Sequence, residues 1–271
     1  MEYFDQGREL TCSQCGRQEI ANICCSNGHY VCDECHGKGV FNLVKDYVIG
    51  CKSKKPLEIA ETLMGYNDQV PMLGCENAWV AAGALITAIR NEGSITVTDD
   101  QVLEVLNRTA KQAIGGYCGL TGVCGIAVSI GACFSVILGA ACPKDQETAT
   151  TMRVVAKMVN TIANETGPCC CKNFVRKSLT EAVKLVKEHL SVSLPIVSEN
   201  IICKHVERHP HGCRKEKCSY FGKDTVIVKG ENGVLKKYDE FFSSVYSEGV
   251  IDRKTKHLIA LSASLAAGCE P

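Results

Sequence analysis

Two Cys-x2-Cys pairs near the start constrain this chain more than any other feature. In CSQCGRQEIANICCSNGHYVCDECH, Cys12 and Cys15 form one pair and Cys32 and Cys35 the other, with sixteen residues between them. Each pair aims two sulfurs inward and the loop brings the pairs together, as a tetrahedral thiolate zinc site requires. Iron in a rubredoxin-like site takes the same four thiolates and is the alternative. A segment this short buries little core, so the metal would supply its folding energy, in a structural or docking role. Residues 1–40 are therefore expected to form a zinc-ribbon or treble-clef-like module. Cys25 and His29 extend the spacing toward a RING-type cross-brace that lacks its closing pair, and a second zinc would need His36 and Cys51. The competing reading of His29 is a surface histidine that steadies a knuckle.

Nineteen cysteines in 271 residues, about 7%, approach the density of small disulfide scaffolds. This chain is long for that class, opens MEYFDQGREL without a charged-then-apolar leader, and runs Cys169-Cys170-Cys171 together, which disulfide geometry serves poorly. A reducing cytoplasm is expected, where thiolates bind metal or carry electrons, and an anaerobe would tolerate so many thiols best. The 30 basic and 30 acidic residues cancel, so no bulk field draws nucleic acid or a membrane surface.

Helical spacing dominates residues 41–222. It is carried by LEIAETLMGY, ENAWVAAGALITAIRNEG, TVTDDQVLEVLNRTAKQAI, TTMRVVAKMVNTIANE and SLTEAVKLVKEHL. Thr98 supplies an N-cap, and Asp99 and Asp100 an acidic first turn. The reading is a mainly α protein: the zinc module at 1–40, a helical cysteine-rich metal-binding domain at 41–222, and a linker with an incomplete helical module at 223–271. DTVIVKGENGVLKKYDEF, within that last segment, offers a small hairpin. The uncharged stretch from Gln112 to Pro143 has the length of a membrane span. Its Gly, Ser and Cys content, without basic flank or aromatic belt, favours a buried helix and no membrane.

The central cysteines fall in three groups. YCGLTGVCGIAVSIG sets Cys118 and Cys124 among glycines just before an apolar helix, and TGPCCCKN holds the triple run. CKHVERHPHGCRKEKCSYF adds Cys203, Cys213 and Cys218, with His205, His209 and His211 as alternative ligands. Glycines admit close backbone approach, and helix N-termini offer N–H groups to anions. A thiolate-bound iron–sulfur cluster is such an anion, and soft sulfur donors favour it or zinc. Neither ferredoxin spacing is present. Cys118, Cys124, Cys170 and Cys171, with Cys75 as a further candidate, are expected to hold the cluster. Cys203, Cys213 and Cys218 are expected to complete it or to bind a separate zinc. Glu76 is a weak candidate acid or base, and Cys133 and Cys142 are expected to be buried structural thiols.

CENAWVAAGAL, CGLTGVCGIAVSIG, GPCCCK and the closing CSYF together resemble an uncharacterised cysteine-rich family of methanogens and other anaerobes, over about residues 60–222. The resemblance implies an anaerobic, metal-dependent protein and names no reaction. The family pattern has an arginine ahead of the paired cysteines where this chain has Cys169, which makes Cys169 the least secure ligand of its run. The tail YDEFFSSVYSEGVIDRKTKHLIALSASLAAGCEP resembles the first half of the carboxymuconolactone decarboxylase family, which includes alkylhydroperoxidase-like redox proteins. That resemblance implies a helix after Asp252, a fitting N-cap, and makes Cys269 the first cysteine of a Cys-x2-Cys-x3-His thiol pair. The second cysteine would fall beyond Pro271. A truncation, a nonsense codon, or a UGA codon read as selenocysteine are three readings of that ending, beside a natural end with Cys269 idle.

The expected function is that of a redox or sulfur-handling protein carrying zinc and an iron–sulfur cluster. It would act with a redox or thiol-bearing partner, with a homo-oligomer among its assemblies. An enzymatic role would be of oxidoreductase or sulfur-transfer type, and the alternative is a non-enzymatic zinc adaptor. A nucleic-acid modification factor is disfavoured by the neutral charge and the lack of basic–aromatic interleaving. Walker A, H-E-x-x-H, G-x-S-x-G and Rossmann patterns are all missing from the sequence.

Overall fold

In the computed structural model, which describes residues 2–13, 15–25, 28–66, 69–165, 169–195, 201–222, 243–247 and 249–266, the fold is mainly helical. It divides into two compact units, residues 1–220 and 221–271.

The first unit opens with strands β1 (Glu2–Thr11) and β2 (Gln18–Cys24), paired antiparallel from Glu2 with Cys24 to Thr11 with Gln18. Among the described residues eight helices follow: α1 (Asp33–Gly50), α2 (Pro56–Met64), α3 (Glu76–Glu92), α4 (Asp99–Gln112), α5 (Tyr117–Thr121), α6 (Gly125–Leu138), α7 (Asp145–Ala163) and α8 (Cys171–Leu190). Residues 201–222 carry two single 3-10 turns, Val206–Arg208 and Lys215–Lys217.

α3 is the central helix. Thirteen of its seventeen residues are buried, because it is apolar on every side and must be covered all round. Its alanines keep it slim enough for α1, α2, α4, α6 and α8 to pack against it, while α7 lies on α6 and α8. Phe41 of α1 meets Trp79 of α3 edge to face at 5.5 Å. The end of α3 also closes α1, whose last carbonyls have no partners within their own helix. Arg90 Nη2 donates to Val48 O at 2.8 Å, and Asn91 Nδ2 to Cys51 O at 3.0 Å. α4 begins at the expected cap: Thr98 accepts the Gln101 N–H at 3.2 Å, and Gln101 accepts the Thr98 N–H at 3.0 Å.

The uncharged stretch from Gln112 to Pro143 holds α5 and α6, and the 14 residues of α6 reach about 21 Å against a hydrocarbon core of about 30 Å. Among the described residues no helix is long and apolar enough to cross a membrane. Cys133 is buried in α6, its S–H directed at the carbonyls of Ala82 and Ser129, both at 3.5 Å. Cys142 is exposed, since α6 ends at Leu138 and the chain turns outward there.

In the second unit α9 (Arg253–Ala266) begins at Asp252, whose carboxylate accepts the Thr255 N–H at 3.0 Å. The hairpin expected in residues 224–241, and Cys269, lie outside the described residues.

Candidate metal and thiol sites

The N-terminal pairs meet as their spacing requires. The sulfurs of Cys12, Cys15, Cys32 and Cys35 all lie within 4.8 Å of one another, and those of Cys15 and Cys32 are 3.6 Å apart. Four thiolates 2.3 Å from a tetrahedral zinc would stand about 3.8 Å apart, so the spacing fits that ion. The first knuckle turns because the Gly16 N–H returns to Cys12 O at 2.9 Å, with Gly16 at φ +73, where a side chain would be strained. The second is tied to the first by the Cys32 N–H, which donates to Cys12 Sγ at 3.3 Å. Burial raises the Cys32 pKa, and hydrogen bonding to Cys15 leads the causes that push Cys35 up to about 12. Four thiols this close share negative charge only around a cation. The cluster is therefore suited to a metal ion such as zinc.

Of the second zinc set, Cys25 and His29 lie together, and the His36 side chain lies outside the described residues. Cys25 Sγ lies 3.5 Å from His29 Nδ1 and accepts the His29 N–H at 3.2 Å. Cys51, however, caps the far end of α1, whose 18 residues put it about 27 Å from Cys32. Among the described residues the four-cysteine cluster is the one set of three or more Cys, His or acidic ligand atoms gathered within 4.8 Å.

In the helical body three helices start directly after a cysteine: α3 after Cys75, α6 after Cys124 and α8 after Cys170. A helix N-terminus favours a thiolate through its free N–H groups and its dipole. α6 approaches Cys75 closely: a Cβ added to Gly125 would lie 2.9 Å from Ala113 Cβ and 3.6 Å from Cys75 Sγ. Cys75 donates to Ile114 O at 3.0 Å.

The thiols of Cys118, Cys124, Cys169 and Cys171 interact. Cys169 is the main cause that raises the Cys118 pKa, ahead of burial. Cys118 pulls Cys169 down, but Cys171, burial and Cys124 outweigh it and carry Cys169 up to about 12. Burial raises Cys124 against the opposing N–H groups of Ile126 and Ala127. Cys118 and Cys169 are exposed, and Cys124 and Cys171 half-buried, so this group opens to solvent.

Cys170 faces a different set. Burial raises its pKa, opposed by the Asn173 N–H, and the charges that bear on it are those of Cys203, Cys218 and Arg176. Residues 201–220 lie over the start of α8. His209 Nε2 is 2.8 Å from Cys169 O, Cys218 Sγ points to Asn173 Oδ1 at 3.6 Å, and Arg214 binds the Glu165 carboxylate at 3.3 Å. Cys213 Sγ accepts the Lys215 N–H of its own loop at 3.4 Å.

Arg176, Lys172 and His205 are buried around the first two turns of α8. Arg176, 1% exposed, grips Glu61 of α2 with two bonds, Nε to Oε1 at 2.6 Å and Nη2 to Oε2 at 2.9 Å. Lys172 is fully buried, and burial pulls its pKa down to about 8 against the charge of Cys171. His205 is buried too; burial, then the charge of Lys172, lowers its pKa to about 4. The one sequence signal for this was the run Lys172, Asn173, Phe174, Val175, Arg176, which reads as solvated by its charges and is buried at every position.

The sequence matches the profile of a family described as "Family of unknown function (DUF5714)" over residues 44–221. The match starts inside α1, so the four-cysteine cluster precedes it. No curated protein and no solved structure matches the chain.

Proposed function

The chain belongs to the DUF5714 family of unknown function, and on that premise we propose a metal-dependent redox or sulfur-transfer protein with two metal centres of different roles. Cys12, Cys15, Cys32 and Cys35 hold zinc and fix the N-terminal module. Cys118, Cys124, Cys169 and Cys171 hold an iron–sulfur cluster, with Cys75 beside it. The observation that carries this reading is the grouping of those four thiols around the starts of α6 and α8, with backbone N–H groups opposing the rise of Cys118 and Cys124. A bound cluster would supply one-electron transfer to the site. The chain's own part is to present four soft donors and to leave Cys118 and Cys169 reachable by the thiol of a partner protein. The tail, with Cys269, would add a thiol-disulfide function of the alkylhydroperoxidase kind. So many accessible thiols suit the cytoplasm of an anaerobe.

Protein purified without oxygen is expected to be brown and to contain iron and acid-labile sulfide. A colourless protein with stoichiometric zinc, no iron and a tightly bound partner would support a zinc adaptor instead.

A further inference from the structure

A thiol and an imidazole in the N-terminal module meet outside the four-cysteine site. Cys25 directly follows β2, and a tight turn brings His29 back beside it. The Cys25 N–H donates to His29 O at 3.1 Å and the Gly28 N–H to Cys25 O at 2.9 Å, with Gly28 at φ +78, where glycine fits best. The turn delivers two groups to one sulfur: Cys25 Sγ accepts the His29 N–H at 3.2 Å and lies 3.5 Å from His29 Nδ1. Its far end is tied to the first knuckle, where Tyr30 O accepts the Ser13 N–H at 2.8 Å and the Ser13 hydroxyl at 3.0 Å. Cys25 is half-buried and His29 exposed, so a small reagent reaches the sulfur.

As zinc ligands these two lack Cys51, which stands at the other end of α1. A thiol with an imidazole in reach is instead the arrangement of a nucleophile: the ring takes the S–H proton, and the backbone N–H steadies the sulfur anion. The turn also narrows the electrophile. The N–H groups of Cys25, Gly28 and His29 are spent on His29 O, Cys25 O and Cys25 Sγ, so none of them can hold the oxyanion that acyl transfer develops. Exchange with a disulfide develops no oxyanion. Cys24 is buried, and adjacent Cα atoms stand about 3.8 Å apart, short of the roughly 4.4–6.8 Å that a disulfide spans, so it does not displace what Cys25 takes up.

We propose that Cys25, with His29 as its base, is a thiol-exchange site that takes up half of a small-molecule disulfide and passes it to an incoming thiol. In the first step His29 Nδ1 takes the thiol proton and Cys25 Sγ attacks one sulfur of the disulfide. The new S–S bond forms as the old one breaks, and the other half leaves as a thiol with the proton from His29. Cys25 is oxidised and the released half reduced, so the disulfide is the only oxidant. An incoming thiol reverses the step and carries the bound half away. This goes beyond the cluster reading, in which neither Cys25 nor His29 takes part.

The test treats the full-length protein, purified without oxygen and with its zinc in place, with oxidised glutathione, and follows each adduct by peptide mass spectrometry. An ordinary thiol is already a few per cent thiolate near neutral pH, so Cys25 is expected to react about tenfold faster than the exposed Cys142. His29→Gln keeps the backbone N–H and removes the base; it is expected to slow Cys25 about tenfold for the same reason, with the zinc content and the Cys142 rate unchanged. Cys25→Ser is expected to abolish the fast adduct. A Cys25 rate no higher than that of Cys142, or an undiminished rate in His29→Gln, overturns the proposal. So does a second zinc per chain that Cys25→Ser loses, which would make Cys25 a ligand. Should His29→Gln fail to fold, the ratio of Cys25 to Cys142 in the wild type decides.

Discussion

Removing the metal from Cys12, Cys15, Cys32 and Cys35 is expected to unfold residues 2–39 and leave the helical body folded. The buried side chains around the site are Cys12, Ala21, Tyr30 and Cys32, and two of these are ligands themselves. Ala21 and Tyr30 together offer about 2–4 kcal/mol of apolar burial. A structural zinc in thiolate sites contributes about 10–16 kcal/mol near neutral pH, so the ion outweighs the core it sits in. The boundary follows from α1. Asp33 to Gly39 precede its first core residue, whereas Val40, Val44 and Val48 pack into the main core. Amide hydrogen exchange followed by mass spectrometry, with zinc and then with excess chelator, reads this directly. Protection in β1, β2 and the first turn of α1 should disappear on chelation, and protection in α3 and α6 should not change. Strands that stay protected without metal would show that the hairpin stands on its own packing and would refute the argument.

Three further outcomes follow from other parts of the fold. Glu61→Ala strands the buried Arg176 charge, and because Glu61 is 29% exposed on its side chain the cost is placed at about 2–4 kcal/mol in urea unfolding; a change below about 0.5 kcal/mol would mean the pair holds nothing. Burial pushes the Glu165 pKa up, but Asn173, Lys177 and Arg214 more than reverse it, so its folded value lies below the ordinary carboxylate value of about 4.3. Its stabilisation is then complete above that ordinary value and lost as pH falls through the folded one. Glu165→Gln should be less stable than wild type at neutral pH and equal to it in strong acid, and a pH-independent difference contradicts this. Cys133→Ala should cost about 1–2 kcal/mol and leave the metal content unchanged, since its thiol faces carbonyls in the core; loss of metal would make it a ligand.

The four-cysteine site was legible because its ligands come in local pairs, and a knuckle is set by the residues between two cysteines. The start of α4 was legible for the same reason: Thr98 and Gln101 make the cap within one turn. The division of Cys169, Cys170 and Cys171 was not. Successive residues entering a helix point about 100° apart, and which one meets Cys118 depends on where α8 lies against α5 and α6. Cys170 instead feels the charges of Cys203 and Cys218, more than thirty residues away along the chain. Lys172 reads as a solvated residue from its type, and becomes buried because residues 201–220 cover the turn that carries it. Cys51 could have been set aside from sequence alone, since an 18-residue helix separates it from Cys32.

Zinc, iron and acid-labile sulfide determined per chain on anaerobically prepared wild type, Cys118→Ser and Cys171→Ser test the two-centre account most directly. The account predicts one zinc in all three proteins, with iron and sulfide in the wild type that both substitutions deplete. One zinc throughout, with no iron or sulfide in the wild type, would contradict it.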